Sequence, residues 1–192
     1  HHYFAKFRDK EVTIVEFGVY HGGSLQMWKH YFGDKARIFG VDIDPRCKRF
    51  EEDQIKIFIG DQEDRAFLRD IRAQIGPIDL LIEDGGHKGG QQIATFEEMF
   101  PAITRGGLFL IEDLHTSYWP AYDGGYLRNG TFIECAKKII DAMHARYSQD
   151  PRLTVGYLTH TVKAMHVFDS IIIFEKDQVS PAEHKMTGKS QF

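Results

Sequence analysis

Short apolar runs alternate with amphipathic stretches from residue 11 to about residue 147, and this alternation restricts the fold more than any other feature of the chain. Residues 12–17, 37–42, 55–59, 78–82 and 108–111 are apolar runs of strand length. Between them, residues 24–31, 63–75 and 91–103 carry apolar side chains at helical spacing, with Ala66, Phe67, Ile71 and Ile75 on one face of the second stretch. Ser24 reads as the N-cap of the first helix, Pro45 opens a further helix after the second strand, and Gly106-Gly107 turn the chain into the fifth strand. Strands buried on both faces read as continuous apolar runs, and strand–helix units at this spacing pack as parallel strands joined by crossover helices. The expected architecture is an open, doubly wound α/β sheet. Residues 114–129, rich in Tyr, Trp, Gly and Asp, follow neither period, and residues 131–147 form a strong amphipathic helix. The end of the chain departs from the pattern. Residues 162–168 and 171–175 read as two strands joined by a tight turn at Asp169-Ser170, which adds an antiparallel hairpin and brings the mostly parallel sheet to seven strands.

Composition narrows the partners. The 192 residues are 42% hydrophobic, enough for one domain spanning residues 1–192 with a sizeable core and a polar tail from about residue 180. A net charge of -4, with Lys and Arg scattered, argues against a nucleic-acid partner. Cys47 and Cys135 have neither metal-ligand nor disulfide-framework spacing, which favours a reducing, cytoplasmic setting. No apolar run approaches the ~20 residues of a membrane span, and no signal peptide is visible, so no membrane association is expected. The chain starts at His1 without Met, and His1-His2 read as a tag remnant at a trimmed N-terminus. Homo-oligomerisation is left open.

In an open α/β sheet, ligands bind outside the carboxyl ends of the strands. That edge carries Glu16, Gly18, Tyr20, Gly22 and Ser24 after the first strand, Asp42 after the second, Asp61-Gln62 after the third and Asp84 after the fourth. Glycines let backbone approach a ligand closely, and an acid ending the second strand accepts both ribose hydroxyls of a nucleoside. Each residue alone is an ordinary turn former; the ordered set points to a nucleoside site. Dinucleotides call for Gly-x-Gly-x-x-Gly, and here Tyr20 stands where the second glycine would be. Glu16 at the strand end suits a cationic ligand instead. S-adenosylmethionine carries an amino group and a sulfonium and no phosphate, and the loop favours it over NAD.

The second half of the edge is reactive. Asp84-Gly85-Gly86-His87 and Glu112-Asp113 follow strands expected to be neighbours, so three carboxylates and a histidine converge. Such oxygen ligands suit a hard divalent cation such as magnesium, and His87 is a natural general base. Consecutive strand residues point to opposite faces, so Glu112 and Asp113 share a metal only if the strand has already turned into loop. The competing reading makes Asp84 a helix cap, Glu112-Asp113 a loop cap and His87 merely exposed. His115 and Tyr118, in the loop that mixes aromatics with hydroxyls, are expected to bind substrate. The remaining histidines, His21 among them, are read as having no special role.

Five motifs carry a family resemblance: Glu16 to Trp28, Val41 to Pro45, Gly60 to Gln62, Glu83 to His87 and Glu112 to Tyr118. Together they resemble the metal-dependent sugar O-methyltransferases of macrolide biosynthesis, the macrocin and mycinamicin type, to which the cephalosporin hydroxylase proteins look related. A parallel sheet closed by an antiparallel hairpin is likewise the layout of class I S-adenosylmethionine-dependent methyltransferases. The resemblance implies Asp84, Glu112 and Asp113 as magnesium ligands and His87 as general base. It also implies Glu16, Gly18, Ser24, Asp42, Asp61 and Gln62 around the cofactor, and methyl transfer to a sugar hydroxyl of a glycosylated natural product or saccharide, as in antibiotic biosynthesis. Macrolide enzymes of this type are longer on the N-terminal side, and nothing in the chain specifies a macrolide. Two rival readings are a hydroxylase-like metal oxidoreductase and a non-catalytic S-adenosylmethionine-binding domain.

Overall fold

In the computed structural model, which describes residues 1–189, the five apolar runs become parallel strands. They are β1 (Thr13–Phe17), β2 (Arg37–Asp42), β3 (Ile55–Ile59), β4 (Ile78–Glu83) and β5 (Ile103–Ile111). β6 (Val162–Phe168) and β7 (Ile171–Lys176) form the terminal hairpin, antiparallel to β5. The sheet order is β3-β2-β1-β4-β5-β7-β6, the doubly wound arrangement expected from the alternation. The order reverses between β1 and β4, so a crevice opens at their carboxyl ends.

Crossover helices cover both faces. Helix α1 (Gly23–Phe32) packs on one side, where Ile14, Leu25, Phe32, Ile38, Leu80 and Leu108 share a core. Helices α2 (Arg65–Ile75), α3 (Gly89–Met99) and α4 (Phe132–His144) lie over the other, around Phe96, Phe100, Phe109, Phe132 and Phe174. Phe96 lies between 4.9 and 5.9 Å, centroid to centroid, from the other four rings. Burying each ring is worth roughly 1.5–3 kcal/mol by area alone, so this cluster is the firmest part of the helical layer. No described helix is long and apolar enough to cross a membrane.

Strand pleating decides what each acid meets. Val15 and Phe17 face the phenylalanine core, whereas Ile14 faces α1; Glu16, two residues on from Ile14, therefore faces α1 as well. Leu81 faces the phenylalanine core, so Glu83 points to the same side, where the Gln62 amide donates to it.

Local readings needed four corrections. The third helix ends at Met99 and a 3-10 turn (Phe100–Ala102) leads directly into β5, so Ile103 is a strand residue. Gly106-Gly107 do not precede the strand; they lie inside it, where its pairing with β4 shifts between Ile78 and Leu80. Gly106 has φ +79°, a bulge conformation that glycine tolerates. Ser24 is not a cap: α1 starts from Gly22 in the left-handed region (φ +74°), and the Ser24 hydroxyl turns to Glu16. A short helix α5 (Tyr157–Thr161), too brief to show a period, precedes β6. The helices after β2 and β3 are capped by Asp44 and Asp64, whose carboxylates accept from Arg46 N and from Ala66 N and Phe67 N. Of the polar tail, residues 180–189 are exposed and irregular; residues 190–192 lie outside the described residues.

Candidate active site

A cavity of about 680 Å³ runs along the carboxyl ends of β1 to β4. Gly18, Tyr20, Ser24, Asp42, Asp61, Gln62, Asp84, His87 and Asp113 all line it, so most of the residues singled out in the sequence are brought together. Glu16, Gly22, Glu112, His115 and Tyr118 are not on its wall. His21, read as having no special role, is on the wall, its ring stacked on Tyr20 at 3.8 Å. Ile43, 68% exposed beside Asp42, was also missed; an apolar side chain left in solvent between two acids was the available signal.

On the β1–β3 half, polar groups organise the backbone. Asp42 Oδ2 accepts from Val19 N at 2.8 Å and Tyr20 N at 3.0 Å, and its Oδ1 accepts from Asp44 N at 2.9 Å. Burial pushes the Asp42 carboxyl up, but these three amides outweigh it and hold the group below its ordinary range. Tyr20 sits at φ +48° as part of this turn. Gly18 (φ +93°) passes so close to Asp84 that a Cβ would lie 2.0 Å from the Asp84 carbonyl oxygen. Glycine is required there.

Glu16 lies beneath the cavity. It accepts from the Ser24 hydroxyl at 2.7 Å and from the Trp28 indole N–H at 2.9 Å. Burial raises its carboxyl to about 7; the two hydrogen bonds oppose this, and the neighbouring Asp84 and Glu112 charges add to it. Gln62 is also committed internally: its amide N–H donates to Glu83 Oε1 at 2.7 Å and its carbonyl accepts from Gly86 N at 2.9 Å. Gly22 shapes rather than lines the cavity, since a Cβ there would meet the Phe50 ring.

On the β4–β5 half the groups stand free. Asp84, His87 and Asp113 each offer a ligand atom, and these atoms lie within 4.8 Å of one another. His87 Nε2 is 3.6 Å from Asp113 Oδ2, beyond hydrogen-bond length, while Nδ1 is buried with no partner among the described residues. Burial raises the Asp84 carboxyl; the nearby His87 opposes this, and Asp113 reinforces it. His87 and Asp113 both occupy the left-handed region, at φ +58° and +54°. Such strain in non-glycine residues concentrates at functional sites. The Thr116 hydroxyl lies between the two loops, its Oγ1 2.8 Å from the His87 carbonyl and 2.7 Å from the Asp113 carbonyl, so its single hydrogen is shared between them.

Glu112 is not in the trio. β5 ends at Ile111, which faces the phenylalanine core, so the next residue points the other way, towards Asp84 and Glu16. Asp113 returns to the cavity because its backbone has turned left-handed. Burial, with Asp84 and Asp113 nearby, raises the Glu112 carboxyl. Of the two expected substrate residues, His115 adjoins the site, its Nδ1 3.9 Å from Asp113 Oδ1, and Tyr118 is half-exposed farther along the loop. Two carboxylates and an imidazole around one point, crowded enough to raise a carboxyl, are a donor set that suits a divalent cation. Gly85 and Gly86 keep side-chain bulk out of the approach.

Known proteins resemble this chain in sequence and fold. A family profile described as "Methyltransferase domain" matches residues 15–114. The 8-demethyl-8-alpha-L-rhamnosyl tetracenomycin-C 2'-O-methyltransferase of Streptomyces olivaceus is 38% identical over 183 residues, covering 91% of this chain and 48% of the relative. Demethylmacrocin O-methyltransferase of Streptomyces fradiae is 34% identical over 186 residues, covering 91% of this chain and 46% of its own length. The crystal structure of the MycE methyltransferase of the mycinamycin biosynthetic pathway, in complex with Mg and SAH, superposes with a TM-score of 0.84 at 34% identity, over 92% of this chain and 47% of that one. The chain thus spans about half the length of the relatives it matches, and the sheet is that of the class I methyltransferases. By the profile match, this chain belongs to the methyltransferase domain family.

Proposed function

We propose, with membership of the methyltransferase domain family as the premise, that this chain moves a methyl group from S-adenosylmethionine to a hydroxyl of a sugar or glycoside, with magnesium held at its reactive edge. The observation that carries the reading is the convergence of Asp84, His87 and Asp113 at one end of a cavity whose other end is lined by Gly18, Asp42, Ile43 and Asp61. The tetracenomycin relative's name supports the acceptor class, since it is a 2'-O-methyltransferase of a rhamnosyl-bearing compound.

At the cofactor end, three amides leave the Asp42 carboxylate about one free lone pair, on Oδ1, which would accept from a ribose hydroxyl, and Ile43 would give the base an apolar surface. Glu16 supplies negative charge from below, favouring a ligand with a sulfonium and an ammonium. At the reactive end, Asp84 and Asp113 would hold the cation, with Glu112 behind them. The cation, when bound, supplies a Lewis acid that lowers the pKa of the acceptor hydroxyl. His87 takes the proton of that hydroxyl as its oxygen attacks the cofactor methyl, and S-adenosylhomocysteine leaves. The sulfonium is already a good leaving group, so what the chain contributes is alignment of donor and acceptor.

One observation favours a different role for His87. Its ring nitrogen is as close to the carboxylates as a ligand would be, so the imidazole is also placed to bind the cation directly. His87→Ala separates the two: as base, its loss lowers turnover by about 10²–10⁴ with magnesium affinity near wild type; as ligand, calorimetry shows magnesium affinity falling with it.

The direct test incubates the protein with S-adenosylmethionine, magnesium and a panel of deoxysugar glycosides and measures S-adenosylhomocysteine with and without chelator. Chelator-sensitive product on a glycoside is expected. Cofactor and magnesium binding without product on any acceptor would count against transfer and return weight to the hydroxylase-like or binding-only readings.

A further inference from the structure

The tip of the β6–β7 hairpin reaches the reactive edge through one residue. Ser170 is a left-handed turn residue (φ +62°) and makes three contacts with the segment that follows Asp113. Its carbonyl accepts from Leu114 N at 2.9 Å, its Oγ lies 3.3 Å from His115 N, and the same Oγ lies 2.6 Å from His115 Nδ1.

Two directions are open to the shortest contact, Nδ1–H to the second lone pair of Oγ or the hydroxyl hydrogen to Nδ1, and only the second gives the hydroxyl hydrogen a partner in this pair. A serine hydroxyl has one hydrogen to donate and lone pairs to accept with. The His115 amide already points its N–H at Oγ, so that contact uses a lone pair. The acceptor within reach of the hydroxyl hydrogen is Nδ1. Asp113 Oδ1, at 3.9 Å from Nδ1, is too far to accept an Nδ1–H instead. An imidazole that accepts at Nδ1 carries its proton on Nε2. The His115 side chain is 40% exposed, packs edge-on against Trp119 at 4.5 Å and adjoins Asp113 of the reactive edge.

We propose that Ser170 is a positioning residue: its hydroxyl fixes His115 as the Nε2–H tautomer, so that His115 offers a hydrogen-bond donor to an oxygen lone pair of the acceptor substrate. The identity of that ligand as a methyl acceptor rests on the transfer reading above; the hydroxyl–imidazole contact does not.

The experiment pairs spectroscopy with kinetics on the whole chain. Histidine-labelled protein is examined by long-range proton–nitrogen NMR at alkaline pH, where the ring is neutral, with the His115 signals assigned by their loss in His115→Gln. The wild type is expected to show the Nε2–H pattern, and Ser170→Ala and Ser170→Gly are expected to show mixed tautomers. Glycine is the backbone control, because it removes the hydroxyl while relieving the left-handed turn. Both variants are expected to raise KM for the acceptor about fivefold, the size of one ordinary hydrogen bond, with kcat and cofactor KM near wild type. An Nδ1–H pattern in the wild type, or an unchanged tautomer in both variants, overturns the assignment. A changed tautomer with unchanged acceptor KM overturns the donor role alone. Absence of methyl transfer by the wild type would sink the transferase reading and the donor role with it, while the tautomer would still decide what Ser170 does.

Discussion

The two halves of the sheet's carboxyl edge use acids in opposite ways. On the β1–β3 half, each acid is bound to protein: Asp42 to three backbone amides, Glu16 to Ser24 and Trp28, Asp61 to Glu63 N. On the β4–β5 half, Asp84, His87 and Asp113 face one another across gaps longer than a hydrogen bond, on a backbone twice held left-handed. The first half is organised before any ligand arrives. The second accumulates repulsion that a cation relieves. Substitutions should therefore reduce stability on one side and ligand affinity on the other.

The largest effect is expected at Asp42. Asp42→Ala orphans three amides, each with a desolvation cost of roughly 1–3 kcal/mol, so denaturant unfolding should show a loss of about 3 kcal/mol or more. Asp113→Ala should do the reverse. The carboxylate orders little of the chain, and its removal eases repulsion at Asp84, so the metal-free protein should melt near the wild-type temperature. Magnesium affinity by calorimetry should fall beyond the roughly 10–100-fold typical of an outer-shell partner. Equal destabilisation by the two substitutions would dissolve the contrast.

The two glycine-rich turns offer a second comparison. Gly18→Ala forces a Cβ onto the backbone carbonyl of Asp84 at φ +93°, and a loss of about 3 kcal/mol is expected. Gly86→Ala meets only the end of the Gln91 side chain, which can move, so its effect on melting should be within about 1 kcal/mol.

The pH dependence follows from the buried acids. Glu16 and Glu83 are raised by burial to about 7, from ordinary values of 4.5. Each binds its proton more tightly folded than unfolded, so the stabilisation is complete below about 4.5 and is lost as pH rises through about 7. Thermal melts of the metal-free protein should accordingly fall across that window. Cofactor affinity should rise over the same range, because a cationic ligand prefers ionised Glu16. Glu16→Gln should flatten the affinity profile; a profile of unchanged shape would remove Glu16 from cofactor recognition.

These contrasts were partly legible in the sequence. Element order, hairpin and sheet edge followed from apolar periodicity, because burial on both faces leaves little choice of strand. The acids after successive strands followed from the rule that ligands gather at carboxyl ends. What sequence could not supply was partnership. Trp28 serves Glu16 from one turn along a helix, and Ser170 serves His115 from 55 residues away. Ser24 looked like a cap because serine commonly is one; a buried carboxylate proved the stronger partner. Gly106-Gly107 looked like a turn because the bulge they form depends on a neighbouring strand. Pleating warned that Glu112 and Asp113 would point apart unless the strand had ended; whether Asp113 had already turned left-handed is a backbone detail that sequence does not show.

The smallest effects concern what holds the reactive loops together. The visible link is the ion pair of Lys88 and Asp123 at 3.5 Å, with the two side chains 50% and 68% exposed. Solvent and salt screen such a pair, and Lys88→Ala should change stability by less than about 1 kcal/mol, with little remaining at high salt. The Thr116 hydroxyl is buried, and its single hydrogen is shared between the His87 and Asp113 carbonyls. Thr116→Val keeps the shape and removes the donor, and a loss of about 1–2 kcal/mol, insensitive to salt, is expected. Because both carbonyls belong to left-handed residues of the trio, the same variant should also weaken magnesium binding, which Lys88→Ala should leave alone. If Lys88→Ala proved the more damaging of the two, the reactive half would be held by surface charge, and its contrast with the hydrogen-bonded cofactor half would lose its structural basis.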